Sequence, residues 1–124
     1  MTMLELALND NRTQYLPNEV ISGLASWNLG TARPVVELRL SWYTRGKGTQ
    51  DTRVERKVPF DDPRARDTRE FRLPLPDGPY SFSGRLISLV WQVELVAGTD
   101  KQTIEFTLSP TGQEILLAGI GPVK

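Results

Sequence analysis

The chain has 124 residues, with 15 Lys or Arg against 15 Asp or Glu and a formal net charge of zero. That length suits one ordinary domain, and the balanced charge argues against a general nucleic-acid binder, which would carry a basic excess. Because cysteine and histidine are absent, the chain excludes disulfides, zinc sites of the Cys/His kind, and Ser-His-Asp or Cys-His catalysis.

Alternating apolar residues predict strands in the first part of the chain. Leu4, Leu6 and Leu8 share one phase of a short strand, and a turn cluster follows at 9–11. A second break at 15–19 precedes a strand over 20–29. Gly23 lies inside that strand, which indicates a bulge or close packing.

The cleanest half-buried strand is predicted over 36–43, followed by a glycine-rich connection at 46–48. The next strand, 53–60, would place Val54, Val58 and Phe60 on one side. A polar loop over 61–68, with room for one helical turn, leads to a strand with Phe71, Leu73 and Leu75 facing inward. Prolines at 74 and 76 predict that this strand ends at a sheet margin.

The longest predicted strand is 85–97, and a further strand ends near Pro110. The apolar cluster 115–117 predicts an edge strand, added to this molecule or to a neighbour. These seven or eight strands predict an all-β, antiparallel sandwich in a single domain spanning 1–124, with 109–124 an edge strand or tail. An exchange of the last strand between two chains would make a homodimer, which we keep as a hypothesis.

Two segments carry a family resemblance. The segment Phe71-Arg-Leu-Pro-Leu-Pro-Asp-Gly-Pro-Tyr-Ser-Phe-Ser-Gly84 resembles the arrestin signature, in which a strand ending in Leu-Pro precedes a Ser-Phe-x-Gly turn and a long strand with a central aromatic, here Trp91. Tyr15-Leu-Pro-Asn-Glu-Val-Ile-Ser-Gly23 is similar to a second arrestin element, with Asn18 replacing a glycine. Asparagine tolerates left-handed backbone, so the turn is retained. The resemblance covers about 4–108 and implies an immunoglobulin-like sandwich of arrestin type.

That resemblance implies binding rather than catalysis. Members of the superfamily act as adaptors for receptors, coats, ubiquitin ligases or membrane cargo, and bacterial relatives include sporulation-control proteins. This chain has room for one lobe, whereas eukaryotic arrestins have two, and another copy could supply the second. Strand 4–8 lacks the lysines of phosphate-sensing arrestins, and there is no Pro-Pro-x-Tyr motif.

Arginines concentrate in the middle of the chain, where 33–72 holds eleven Lys or Arg against seven Asp or Glu. Arg64, Arg66 and Arg69 are the candidate binding residues for an anionic partner surface. Arg72 falls on the opposite strand face from Arg69 because side-chain direction alternates. The alternative is interspersed surface charge, since acidic neighbours would pair with these arginines.

Three carboxylates, Asp61, Asp62 and Asp67, share the same loop. They could bind Ca²⁺ or, with Glu55, supply a catalytic pair, whereas a solvated turn explains them without either role. We predict no catalytic residue, metal or cofactor.

Aromatic residues divide into two groups by strand phase. Trp27, Trp42 and Trp91 fall on apolar phases, which predicts core packing. Tyr43 and Tyr80 are the candidates for exposed contact residues.

The sequence therefore predicts a non-catalytic, adaptor-like protein-interaction module with a protein partner and no nucleic acid. Alternatives are a carbohydrate- or lipid-binding sandwich, a structural subunit of a larger assembly, or a carboxylate-based enzyme. The first residues place Glu5 where a signal peptide would be basic or apolar, and no apolar run is long enough to span a membrane. A cytoplasmic protein is expected.

Overall fold

Two β-sheets of unequal size face each other across one apolar core. The computed structural model describes residues 3–30, 34–46, 50–84, 87–111, 113 and 115–116. The strands of that part are β1 (Met3–Leu8), β2 (Gln14–Tyr15), β3 (Val20–Asn28), β4 (Glu37–Gly46), β5 (Thr52–Pro59), β6 (Arg66–Pro74), β7 (Phe82–Ser83), β8 (Ile87–Ala97), β9 (Asp100–Leu108) and β10 (Ile115–Leu116). Seven are long and three have two residues each, as expected for the predicted sandwich.

The small sheet has the order β1-β3-β6, with both pairings antiparallel. Its inner face carries the apolar phase of each strand, including Leu4, Ala25, Trp27, Phe71 and Leu73, all of them buried. Pro74 ends β6 at the free side of the sheet, which confirms the predicted margin.

The large sheet is built on β8, which pairs antiparallel with β4 on one side and with β9 and β7 in succession on the other. β5 lies beyond β4, whereas β2 and β10 pair in parallel with β9 and β7. Ser81 joins the two strands that share one side of β8, because its hydroxyl accepts from Leu108 N (3.0 Å) and its N–H donates to Leu108 O (2.8 Å). Because β10 pairs with β7, the apolar cluster that begins at Ile115 adds its edge strand to this same chain.

The core lies between the two inner faces. Trp91 is fully buried, donates its indole N–H to Pro79 O (2.6 Å) and stacks obliquely on Phe106. Trp27 is also buried, donates to Arg64 O (2.7 Å) and packs against Phe60. These contacts confirm both tryptophans as core residues. Trp42 is half-buried, packs against the same core as predicted, and donates to Glu55 Oε2 (2.7 Å).

Gly23 and Asn18 lie at positions with the backbone constraints that the sequence predicts. A Cβ on Gly23 would lie 2.1 Å from Ala7 O, so this glycine reflects close strand packing. Asn18 has φ 66°, the left-handed conformation expected where it replaces a glycine.

Two local predictions differ from the structure. The one short helical turn of the described residues lies at Asn9–Asn11 and not in the 61–68 loop. Asp10 and Asn11 of this turn adopt positive φ. A bulge in the β4–β5 pairing sets Val54 opposite Ser41 and Val58 opposite Leu38. Val54 and Val58 therefore lie on opposite faces, because one extra residue reverses the phase. Of the glycine-rich connection, Lys47 and Gly48 lie outside the described residues, as do Leu117 and the residues after it.

Across the described ranges, no helix has the length and apolar character needed to cross a membrane.

Candidate functional site

The polar phases of β4, β8 and β9 meet on the side of the large sheet that faces away from the core. We call this surface the outer face. Cross-strand pairing sets Arg39 beside Glu94, Tyr43 beside Val90 and Gln92 beside Glu105. Since residues opposite each other on one face contact, these strands assemble a continuous polar surface.

At the centre of the outer face, three side chains form one hydrogen-bonded group. The Tyr43 hydroxyl donates to Glu105 Oε2 (2.5 Å) and accepts from Arg45 Nη2 (2.5 Å). The Arg45 guanidinium also stacks 5.4 Å from the Tyr43 ring centre. Burial raises the pKa of Tyr43, and the Glu105 carboxylate adds to that effect. Tyr43 therefore stays neutral and fixes the two charged groups in place.

A second polar group lies further along β8 and β9. Glu94 is only 7% exposed, and its Oε2 lies 3.4 Å from Lys101 Nζ and accepts from Thr103 Oγ1 (3.3 Å). The buried Ser41 hydroxyl accepts from Gln92 Nε2 (3.1 Å) between the two groups. Each buried polar side chain is satisfied, as polar networks at low exposure require.

Two shallow depressions of about 490 and 430 Å³ flank the central group, and Arg45 lines both. Five serine and threonine residues line the first, whereas four charged and four neutral polar residues line the second. The Arg45 side chain is 65% exposed despite its contacts. The outer face thus offers prepositioned hydrogen-bond donors and acceptors to a ligand that lies across the strands.

Tyr43 and Tyr80 have different surroundings. Tyr43 is only 5% exposed, so its prediction as an exposed contact residue was wrong; the Arg45 guanidinium lies over its ring. Tyr80 is 38% exposed, which confirms its exposure.

The predicted arginine patch lies at one end of the small sheet, away from the outer face. Arg64 and Arg66 are exposed there, but Arg69 is half-buried. Arg69 binds the carbonyls of Asp61 (3.0 Å) and Asp62 (3.1 Å) and the carboxylate of Asp67 (3.0 Å). It holds its own loop, so only part of the arginine set presents charge to solvent.

The loop carboxylates do not converge. Asp67 accepts from Arg69, from Arg64 N (3.3 Å) and from Thr68 N (2.9 Å). Glu55, on β5, contacts Trp42 and Arg53 instead. Within the part of the chain that the structure describes, no three acidic side chains are grouped as they would be to hold a metal ion.

We expect Arg69→Met to raise the pKa of the Asp67 carboxyl group. In the folded protein the Arg69 hydrogen bond lowers that pKa below its ordinary value, with the Arg64 and Thr68 N–H groups adding to the effect. Stability from this pair is therefore present above the unfolded pKa of Asp, about 3.9, and is lost as pH falls through the folded value. Carboxyl NMR titration of both proteins measures the change, and identical Asp67 titrations would contradict it.

The outer-face residues Arg39, Arg45, Glu94, Lys101 and Glu105 were not singled out from the sequence. The sequence feature that could have identified these residues is the polar phase of each strand, for example Arg39 between Leu38 and Leu40. That phase identifies which residues face away from the core, but it does not reveal which strands are neighbours.

Comparison with known proteins identifies the fold of this chain but does not assign the chain to a family. No family model matches the chain, and no curated protein matches its sequence. Spo0M, a sporulation control protein from Bacillus subtilis, is similar in structure, with a TM-score of 0.58, 14% identity and coverage of 87% of this chain. A β-glucosidase from Listeria innocua, solved in complex with gluconolactone, aligns with a TM-score of 0.51, 11% identity and coverage of 94% of this chain and 16% of its own.

The chain spans about half of Spo0M, 49% of that protein's length. Spo0M has the arrestin-like fold, so the similarity confirms the arrestin-type sandwich that the two sequence motifs predict. At these identities the likeness concerns the fold alone.

Proposed function

We propose that this chain is a non-catalytic protein-interaction module of the cytoplasm and that its outer face binds a segment of a partner protein. The observation that carries the proposal is the central group of Tyr43, Arg45 and Glu105, in which a buried phenol holds two charged side chains at the surface. Charged groups held before binding lose little side-chain entropy when a partner arrives.

The contacts of the outer-face carboxylates support a binding role. The Glu105 carboxylate is hydrogen-bonded to a tyrosine, and the Glu94 carboxylate faces Lys101 and Thr103. These contacts hold both carboxylates in place on the outer face. Fixed charges of this kind give an interface its specificity and orientation.

A photo-crosslinking amino acid in place of Thr52 tests where the partner binds. Thr52 lies exposed on the outer face and lines the second depression, while Thr68 is another exposed threonine, on the outer side of the small sheet. We expect cross-linking to one partner protein from position 52 and not from the matched control at 68. Equal cross-linking from both positions, or from 68 alone, would contradict the proposed site.

With the purified partner, Arg45→Glu should weaken binding at least about tenfold, because it reverses the charge at the centre of the outer face. Arg72→Glu, on the outer side of the small sheet, makes the same charge change as a control and should bind as the unmodified protein does. Calorimetric titration measures both, and unchanged affinity for Arg45→Glu would overturn the assignment.

A further inference from the structure

Over most of its length, the side of β9 that faces away from β8 has no backbone-paired strand among the described residues, although β1 of the small sheet approaches β9. β2 covers only Thr107 and Leu108, where Thr107 N donates to Thr13 O (2.8 Å) and Ser109 N to Tyr15 O (3.2 Å). Because backbone direction alternates along a strand, the N–H and C=O groups of Lys101, Thr103 and Glu105 point to that same side. Among the described residues, no strand pairs with them there.

Two other sheet edges of this chain, β5 and β6, carry features that discourage pairing. β5 contains the bulge beside Glu55 and is rich in basic side chains, and β6 ends in Pro74. β9 has neither a proline, a glycine nor a bulge over Asp100–Leu108. A straight strand edge with exposed backbone groups is a template for another strand.

The sequence of the open stretch is complementary to itself in the antiparallel direction. When two copies meet with Thr103 opposite Thr103, Lys101 of each chain lies opposite Glu105 of the other. Both side chains are exposed in one chain, at 64% and 54%. Oppositely charged residues directly across an antiparallel pair stabilise it, and here the pair occurs twice.

The geometry of that register is consistent with the chain as it stands. The paired stretch, Lys101–Glu105, stops before Thr107, where β2 begins to cover the edge. In this register Lys101, Thr103 and Glu105 each lie opposite a residue of the second copy whose backbone groups also point away from β8. The N–H and C=O groups of the two chains can therefore form hydrogen bonds in pairs. On the core side, the half-buried Ile104 would lie opposite Gln102 of the second copy.

We propose that two copies of this chain pair edge to edge through β9 and form a symmetric dimer. The large sheets then continue across the two-fold axis, and the two outer faces form one surface. This inference goes beyond the proposed function, since a monomer could bind a partner on its own outer face.

Charge exchange tests the proposed register. K101E places glutamate opposite Glu105 in both halves of its dimer, and E105K places lysine opposite Lys101, so each variant alone should sediment as a monomer where the unmodified protein dimerises. Mixing the two variants pairs opposite charges at both positions and should restore the dimer. Analytical ultracentrifugation over a concentration series measures this, with K57E on β5 as a matched control that should still dimerise.

Thr103→Pro provides a second test that does not depend on charge. It removes an N–H that points to the open side and leaves the ladder to β8 intact, so circular dichroism should show a folded protein that stays monomeric. A monomeric unmodified protein at every concentration, a dimer that survives Thr103→Pro, or a mixture of variants that remains monomeric would each overturn the proposal. Thr103→Pro also removes the hydroxyl that donates to Glu94 on the outer face, so Thr103→Val, which loses the same hydroxyl and keeps the N–H, is its control. Equal partner binding by monomeric Thr103→Pro and by Thr103→Val would keep the proposed function independent of this outcome.

Discussion

Trp91→Ala is expected to lower the free energy of unfolding by about 3–5 kcal/mol, the range for truncation of large buried aromatic residues. Trp91 has no exposed surface, and its ring packs against Phe106 with centroids 6.0 Å apart. The alanine variant would leave a cavity and would remove the donor to Pro79 O, which is 2.6 Å from the indole nitrogen. The loss of this hydrogen bond adds to the cost.

Urea unfolding of the two proteins measures this loss. Domains of this size have a total stability of about 5–15 kcal/mol, so the variant should be only marginally folded. Trp42→Ala is the matched control: this tryptophan is half-buried on the same face of the neighbouring strand, directly opposite Trp91. We expect a smaller loss for the control, and equal losses for the two variants would contradict the core assignment of Trp91.

Gly23→Ala is expected to destabilise the domain by about 1–3 kcal/mol or more through steric overlap. The added methyl group would lie 2.1 Å from Ala7 O and 3.0 Å from both Leu8 Cα and Phe71 Cζ. Two of these three atoms are backbone, so β1 would have to move away from β3. The small sheet has three strands, and this movement would weaken one of its two pairings.

Thermal unfolding of Gly23→Ala should show a clear fall in Tm, and hydrogen exchange should show lower protection in β1 than in β8. Leu24→Ala is the control, since Leu24 follows on the same strand but faces solvent and is 44% exposed. Its truncation should cost little. A Gly23→Ala protein as stable as Leu24→Ala would mean that β1 accommodates the methyl group.

The two proposals have different consequences for how the protein acts. A monomer presents one outer face and binds one partner segment. A β9-paired dimer presents two such faces on one continuous sheet, so a partner with two copies of the segment would gain avidity without any new contact. Arg45→Glu changes the outer face. Comparison of Thr103→Pro with Thr103→Val isolates the edge, because both lose the hydroxyl that donates to Glu94 and only the proline removes the N–H.

Much of the fold could be predicted from local pattern. Period-two alternation identified the long strands and the buried phase of most of them, β5 with its bulge being the exception, and it placed Trp27 and Trp91 in the core. The backbone conformation of Asn18 was also predicted correctly, since this residue adopts the left-handed conformation. These features depend on a few adjacent residues, so the sequence contains them directly.

The candidate site could not be predicted in the same way. Tyr43 lies on the polar phase of its strand, yet it is buried because Arg45 and Glu105, which comes from β9, bind its hydroxyl group. Arg69 looked like part of a charged surface, but its guanidinium reaches back to the Asp61 and Asp62 carbonyls. Each outcome depends on residues that are distant along the chain or on the path of a loop.

The sequence by itself determined an all-β chain, the phase of its strands and the positions where glycine or asparagine is needed, because each of these follows from side-chain alternation and backbone sterics over short distances. Only the tertiary structure decided which strands are neighbours. That choice assembled the outer face from β4, β8 and β9 and left one side of β9 open. Strand pairing is a long-range property, since the same alternation fits many pairings and the packing of the whole core selects among them.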